Sequence, residues 1–217
     1  MYFHAVSMRQ ILVRLLCMSS LIIALPLAAA PPLKDLIKNP VYDGALLSLD
    51  GKKLAVTVVE DGERVLALMT LDPLEISYVV RFSRNEEVGD VYWVSDDRLV
   101  ITILRKLGWH DSRINFGKMY AVDFDGKNGR TIFGYDSEKK QYAHARVISV
   151  LQDDPRNVLI STYPWSNVGG RYWYRGDRVG EVLKLNVFSG RTTRVATHPG
   201  RGGRAYADAN GKIQFAS

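Results

Sequence analysis

A short acidic turn followed by an apolar strand recurs four times in this chain, and this repetition restricts its possible folds more than any other feature. The copies centre on Asp50, Asp97, Asp154 and Asn210, at spacings of 47, 57 and 56 residues. A second predicted hairpin follows each of the first three copies, at 64–80, 118–133 and 181–195. Units of this length with two hairpins each are typical of the four-stranded blades of a β-propeller.

The segments between the turns have the composition of strands rather than helices. Short β-branched and aromatic runs occupy 54–59, 65–69, 98–103, 119–122 and 158–161. Asp-Gly, Ser-Gly and Asn-Gly pairs separate many of these runs, and such pairs supply the positive φ that tight hairpins require. We therefore predict an all-β fold for residues 45–217, an incomplete propeller of about three blades and the start of a fourth.

Propellers close with about four to eight blades. A fourth blade that stops after its first hairpin would leave an open strand edge, which natural folds avoid. We therefore expect this chain to be a truncated product or a piece of a longer protein.

The first thirty residues have the pattern of an export signal. Arg9 and Arg14 precede an apolar run that ends in small residues at 28–30. The uninterrupted part of this run is shorter than the roughly 20 residues of a membrane-spanning helix, and it contains Pro26. We predict a signal peptide at residues 1–30, no membrane span after its cleavage, and a periplasmic or secreted protein.

Translation could begin at Met1 or at Met8, and the shorter form would have the more compact signal. Residues 31–44 are predicted to form one short helix and a linker. The helix ends before Pro40, because proline disfavours a helical conformation in the residue that precedes it.

Composition excludes several classes of function. The chain has 217 residues and a formal charge of +6, and its basic residues are interleaved with acids rather than clustered. This pattern does not predict a nucleic-acid partner. The single cysteine, Cys17, lies within the predicted signal, so the rest of the chain has no internal disulfide, thiolate metal site or cysteine nucleophile.

An ordered set of motifs resembles the opening of bacterial exported peptidases of the prolyl oligopeptidase family. Those proteins begin with a short helix ending in Asn-Pro, followed by a Ser-Pro-Asp-Gly-Lys turn. Here Asn39-Pro40 is followed by Ser48-Leu49-Asp50-Gly51-Lys52, in which Leu49 replaces the usual proline. Further similar stretches lie at 91–100, 145–160 and 182–191.

The resemblance implies a two-domain serine peptidase in which a propeller admits peptides to a C-terminal α/β-hydrolase domain. The catalytic serine, aspartate and histidine of such enzymes belong to the hydrolase domain, so the resemblance assigns no catalytic residue to this chain. Two alternatives remain open. One is an exported binding propeller resembling that of the Tol system, with no hydrolase activity, and the other is a pseudogene product that does not fold.

No residue pattern predicts a catalytic, cofactor or metal site. Ser189 is followed by Gly190 but lacks the glycine two places before it that a nucleophile elbow requires, so a hairpin turn is favoured. His110, His144 and His198 have no metal-ligand spacing and are interpreted as loop or core residues. The remaining histidine, His4, lies in the predicted signal.

Two glycine-containing segments resemble ligand-binding loops but are better explained as connections. The segment 123–128 places its glycine fourth rather than sixth, unlike a calcium-binding EF-hand loop, and a hairpin turn is predicted. The segment 200–205 loosely matches a dinucleotide fingerprint without its strand and helix, and a flexible loop between blades is predicted.

Two further segments have a functional and a structural interpretation. Glu86-Glu87 could hold the amino terminus of a peptide, as paired glutamates do in some relatives of the family, but a solvated loop between blades is favoured. The aromatic and basic segment 163–178 interrupts a blade. Packing against a neighbouring blade is favoured there over contact with substrate.

Overall fold

The computed structural model describes residues 41–82, 85–107, 112–173 and 178–216. The predicted signal peptide, the predicted short helix and His110 lie outside these residues. The described part is all β, which confirms the predicted fold class.

The described residues form three four-stranded antiparallel sheets and two separate hairpins. The first sheet contains β1 (Tyr42–Leu47), β2 (Lys53–Glu60), β3 (Glu63–Leu71) and β4 (Leu74–Val80). The second contains β5 (Glu86–Ser95), β6 (Arg98–Lys106), β7 (Arg113–Asp123) and β8 (Arg130–Phe133). Strand β1 begins three residues before the expected start of the propeller at residue 45.

The third sheet is interrupted by an inserted hairpin. Its strands are β9 (Ala143–Ser149), β10 (Asn157–Pro164), β13 (Val179–Asn186) and β14 (Thr192–Arg201), and the insertion contains β11 (Ser166–Val168) and β12 (Arg171–Trp173). A last hairpin contains β15 (Arg204–Ala207) and β16 (Ile213–Ala216). Each sheet runs in sequence order, as in propeller blades, and the last hairpin corresponds to the first two strands of the next sheet.

Consecutive side chains of the central sheet belong to two different hydrophobic clusters, one on each face of the sheet. On β6, Leu99 and Ile101 pack with the first sheet, whereas Val100 between them packs with the third sheet. Side chains in a strand point alternately to its two faces, so both faces of this central sheet are buried. A smaller cluster that includes Leu159 and Ala205 joins the third sheet to the last hairpin.

The sheets also contact one another at one end of their strands. This end carries the turns that join the first strand to the second and the third strand to the fourth. We call this end the turn face. At the turn between β5 and β6, the backbone N–H of Asp50 donates to Asp96 Oδ1 over 2.8 Å, and Lys53 pairs with Asp97. In the turn between β13 and β14, a Cβ on Gly190 would lie 2.7 Å from the carbonyl oxygen of Ile132, so only glycine permits this approach.

The buried guanidinium of Arg98 joins the second sheet to the third. Its Nε and Nη2 donate to the carbonyl oxygen of Val187 over 3.2 and 2.7 Å, and its Nη1 pairs with the carboxylate of Asp123. The centre of the guanidinium lies 4.2 Å from the centroid of the Phe188 ring. Each nitrogen of this buried cation therefore has an acceptor, and an aromatic ring lies against the guanidinium.

Among the described residues, no helix is long and apolar enough to cross a membrane.

Replacing Arg98 with methionine should lower the free energy of unfolding by about 3 kcal/mol, because it leaves a buried carbonyl and a carboxylate without their cation. Chemical denaturation of the full chain measures this loss. The control is Arg130→Met, which removes an exposed pair with Glu138 and should cost less than about 1 kcal/mol. Equal losses in the two variants would contradict the importance assigned to Arg98.

Candidate functional site

The first strands of successive sheets are neighbours, as in the wall of a propeller channel. Trp93 Nε1 on β5 donates to the carbonyl oxygen of Leu46 on β1 over 3.1 Å. Arg146 Nη2 on β9 donates to the carbonyl oxygen of Ala205 on β15 over 2.7 Å. We call these first strands, β1, β5, β9 and β15, the inner strands. Clefts between such neighbouring strands are candidate binding sites.

A groove of about 330 Å³ lies between β1 and β5. Its lining consists of Gly44, Ala45, Leu46, Ala55, Thr57, Arg64, Gly89, Asp90, Val91 and Tyr92. Arg64 and Asp90 therefore place opposite charges in one groove, and the rest of its surface consists of apolar side chains, backbone atoms and the hydroxyl groups of Thr57 and Tyr92.

A β-bulge places Asp90 in this groove. The register of β5 against β6 shifts between Val88 and Val91, and the Oγ1 of Thr102 accepts the N–H of Asp90 over 2.7 Å. A Cβ on Gly89 would lie 2.5 Å from that oxygen, so glycine is required at this point of the bulge. The bulge leaves the Asp90 carboxylate exposed to solvent.

Arg64 and Tyr92 provide the other polar groups of the groove. Arg64 Nη2 lies 2.6 Å from the carboxylate of Asp43, while its Nε is buried without a hydrogen-bond partner among the described residues. Burial, with a smaller contribution from the negative charge of Asp90, raises the pKa of Tyr92 to about 12. Its phenol stays protonated at neutral pH, so the groove offers donors and acceptors for binding rather than a nucleophile.

Glu86 and Glu87 do not lie in a solvated loop, and that prediction was wrong. Both residues begin β5, and the side chain of Glu87 is only 1% exposed. Lys106 Nζ and Arg113 Nε lie 2.7 and 2.8 Å from the two oxygens of Glu87, and Lys118 pairs with Glu86. These cations neutralise the pair, which leaves little negative charge for the amino terminus of a peptide.

Sequence reasoning missed a buried serine–histidine pair in the third sheet. Ser161 Oγ lies 3.1 Å from His198 Nε2, and His198 Nδ1 lies 3.1 Å from the carbonyl oxygen of Gly203. Because a carbonyl only accepts, Nδ1 carries the proton and Nε2 accepts from the serine hydroxyl. This is the arrangement of an activated nucleophile, but Ser161 is fully buried and His198 is 3% exposed. Substrate cannot reach the serine without opening the sheet, so the pair acts as a structural contact.

The structure confirms the interpretation of His198 as a core residue and of Ser189 as a turn residue, whereas the prediction for His110 falls outside the described residues. His198 is a polar core residue, and His144 lies half-buried in β9, where burial lowers the pKa of its imidazole. Ser189 lies in the turn between β13 and β14. No group of three or more potential metal ligands occurs among the residues that the structure describes.

The two glycine-containing segments are connections between strands. The segment 123–128 forms the hairpin turn between β7 and β8, closed by a hydrogen bond from the N–H of Asp123 to the carbonyl oxygen of Lys127. The segment 200–205 contains the connection between β14 and β15. Only Gly202 and Gly203 lie between these two strands, so the connection is shorter than the predicted flexible loop.

The aromatic segment packs between blades, as predicted. Trp165 contacts the rings of Phe116 and Tyr135, which belong to the second sheet and the residues just after it, with centroids 6.3 and 6.2 Å apart. Tyr172 on β12 stacks on Tyr142 with centroids 3.7 Å apart. Trp173 at the end of the inserted hairpin remains 54% exposed.

No family model matches this chain, and no curated protein matches it. Among solved structures, a protein described as a conserved lipoprotein from Clostridium novyi NT is 11% identical, with a TM-score of 0.42; the match covers 73% of this chain and 89% of the other. A prolyl endopeptidase is 16% identical, with a TM-score of 0.43, and the match covers 76% of this chain and 22% of the endopeptidase.

An oligogalacturonate lyase in complex with manganese is 11% identical, with a TM-score of 0.35, and the match covers 80% of this chain and 58% of the lyase. This chain thus spans about a fifth of the endopeptidase. These similarities are too low to assign a family or an activity. The sheets themselves show a propeller-like β fold.

Replacing Glu87 with glutamine should lower the free energy of unfolding by about 2 kcal/mol at pH 7, because two cations lose a buried carboxylate. Burial alone would raise the pKa of Glu87, but Lys106 and Arg113 hold it below its usual value. The stabilisation is therefore present at neutral pH and is lost as the pH falls below about 4.5. Urea denaturation at pH 7 and at acid pH measures both effects, with exposed Glu63→Gln as the control. Identical unfolding of the two variants would contradict this role.

The stability of the chain should also decrease as the pH falls below about 6.5, partly because of His198. Burial lowers the pKa of this imidazole, so the folded chain resists a proton that the unfolded chain accepts. His198→Gln should flatten the dependence of the unfolding free energy on pH between about 7 and 5. His144, whose pKa is also lowered, contributes in the same direction and serves as the comparison variant, His144→Gln. An unchanged pH dependence in His198→Gln would show that this residue is not responsible.

Proposed function

We propose that this chain is the substrate-gating propeller portion of an exported serine peptidase similar to the prolyl oligopeptidases, and that it does not hydrolyse peptides by itself. The main support is the placement of the recurrent acidic turn. Each copy lies between the first and second strands of its sheet or hairpin, at 48–52, 96–97, 150–156 and 208–212. The motifs that resemble the family thus occupy equivalent positions in successive blades.

The groove between β1 and β5 supports a peptide as the ligand. The carboxylate of Asp90 suits a peptide ammonium or N–H group, and the Nε of Arg64 suits a carbonyl or carboxylate oxygen. Both groups lie beside the inner strands, which in this proposal form the wall of the passage to a hydrolase domain. The predicted signal at residues 1–30 supports export.

The buried Ser161–His198 pair is consistent with a gating rather than a catalytic part. Its hydroxyl has no open approach in the described structure. In this proposal a hydrolase domain supplies the catalytic serine, aspartate and histidine.

A second candidate is an exported propeller that binds other proteins, resembling the Tol-system propeller. The inserted hairpin favours it, because Tyr172 and Trp173 are 41% and 54% exposed. Aromatic side chains of this kind are enriched in protein interfaces.

The first test combines an activity assay with a peptide-binding assay on the purified full chain. Chromogenic peptides should not be hydrolysed, whereas a fluorescein-labelled peptide of about eight residues should bind, as measured by anisotropy. Asp90→Asn should weaken this binding about fivefold, the effect of losing one partly exposed charge pair. Exposed Asp153→Asn is the matched control and should leave binding unchanged.

Turnover that a serine-directed inhibitor abolishes would overturn the proposal. Peptide binding that is insensitive to Asp90→Asn but lost in Trp173→Ala would favour the protein-binding candidate. The coding DNA beyond the Ser217 codon gives an independent test. Continuation through further blades into a Gly-x-Ser-x-Gly turn would support the peptidase, and further blades followed by a stop would support the binding propeller.

A further inference from the structure

A polar cavity of about 490 Å³ lies on the turn face of the third sheet, separate from the groove between β1 and β5. Its lining consists of Arg130, Arg156, Asn157, Lys184, Asn186, Phe188, Ser189, Arg191 and Thr193. The volume is in the range of small-molecule sites, and no carboxylate is part of the lining.

The four basic side chains of the lining outnumber the carboxylates that pair with them. Arg130 pairs with Glu138 over 2.6 Å, and Lys184 pairs with Asp154 over 3.0 Å. Within the described ranges, the guanidinium groups of Arg156 and Arg191 have no carboxylate partner, and both residues are exposed. Two cations of the cavity are therefore not neutralised by any carboxylate of the described residues.

The turn between β13 and β14 is closed by hydrogen bonds to the side chain of Asn186. Its Oδ1 accepts the backbone N–H groups of Phe188 and Ser189 over 3.1 and 2.9 Å, and the Ser189 hydroxyl over 3.0 Å. This network sets the direction of the Phe188 side chain beside the cavity.

The Phe188 ring in turn orients one of the free cations. The guanidinium centre of Arg156 lies 5.4 Å from the ring centroid, while the buried Arg98 lies 4.2 Å from the same centroid. The carbonyl of Arg156 accepts the N–H of Val187 over 2.9 Å, so its backbone is also tied to the turn. Arg156 is therefore positioned at the cavity before any ligand arrives.

We propose that this cavity binds a small ligand with several carboxylate or phosphate groups. Arginine presents a planar fork of donors that matches either kind of oxyanion, and two such forks at one cavity suit a ligand with more than one negative group. The Asn157 amide and the Thr193 hydroxyl add neutral polar groups. This inference does not depend on the peptidase proposal, since it concerns a different surface.

Isothermal titration calorimetry of the full chain at low ionic strength tests the proposal, with citrate and inorganic pyrophosphate as separate probes. We expect saturable binding of at least one probe to a single site. Arg156→Gln and Arg191→Gln should each weaken that binding at least tenfold. Arg194→Gln is the matched control, because this exposed arginine on β14 pairs with Glu181 outside the cavity. The affinity of this variant for the probe should stay within twofold of that of the unsubstituted chain.

Tighter binding of citrate would identify the ligand as a polycarboxylate, and tighter binding of pyrophosphate would identify it as a phosphate compound. Absence of saturable binding of both probes would overturn the proposal, as would binding that survives both arginine substitutions. Circular dichroism melting curves should match those of the unsubstituted chain, because both arginines are exposed. Asp90→Asn should leave anion binding unchanged, which separates this test from that of the peptide groove.

Discussion

The buried guanidinium of Arg98 is the constraint on which the packing of the second and third sheets depends. A buried cation costs several kcal/mol unless it is fully paired, so the chain must bring the carbonyl oxygen of Val187 and the carboxylate of Asp123 to the same point. The ring of Phe188 covers the guanidinium at 4.2 Å. Because Phe188 also contacts Arg156, the position of the proposed anion site follows from this buried charge.

Hydrogen bonds between turns join the other neighbouring sheets, as Arg98 joins the second sheet to the third. Asp96 accepts the N–H of Asp50 from the first sheet, and the N–H of Gln152 donates to the carbonyl oxygen of Ala209 in the last hairpin over 3.1 Å. The carboxylates of Asp50, Asp154 and Asp208 accept hydrogen bonds within or next to their own turns, so the recurrent acid closes the turn, and contacts between turns then join the sheets. Specific binding must then depend on Asp90, which lies in a bulge outside the motif, and on Arg156, which belongs to the third copy of the turn and lies beside the Phe188 ring.

Sequence patterns that span only a few residues predicted the fold well. Alternating strands and Asp-Gly turns indicated the blades, and the segment 163–178 was correctly interpreted as an insertion that packs through its aromatic rings. The solvated-loop prediction for Glu86-Glu87 failed, because Lys106 and Arg113, the cations that pair with Glu87, lie on other strands, 19 and 26 residues further along the chain. The Ser161–His198 pair was missed for the same reason, since its members are 37 residues apart and match no motif.

The sequence by itself determined the class of fold, because strand alternation and turn chemistry depend only on adjacent residues. Through the spacing of the acidic turns it also predicted the order of the described sheets, three four-stranded sheets followed by a hairpin. Only the tertiary structure decided which charges are neutralised and which remain available. Glu87 is paired while the guanidiniums of Arg156 and Arg191 have no carboxylate partner within the described ranges, because charge pairing depends on distances between residues that the fold brings together from different strands.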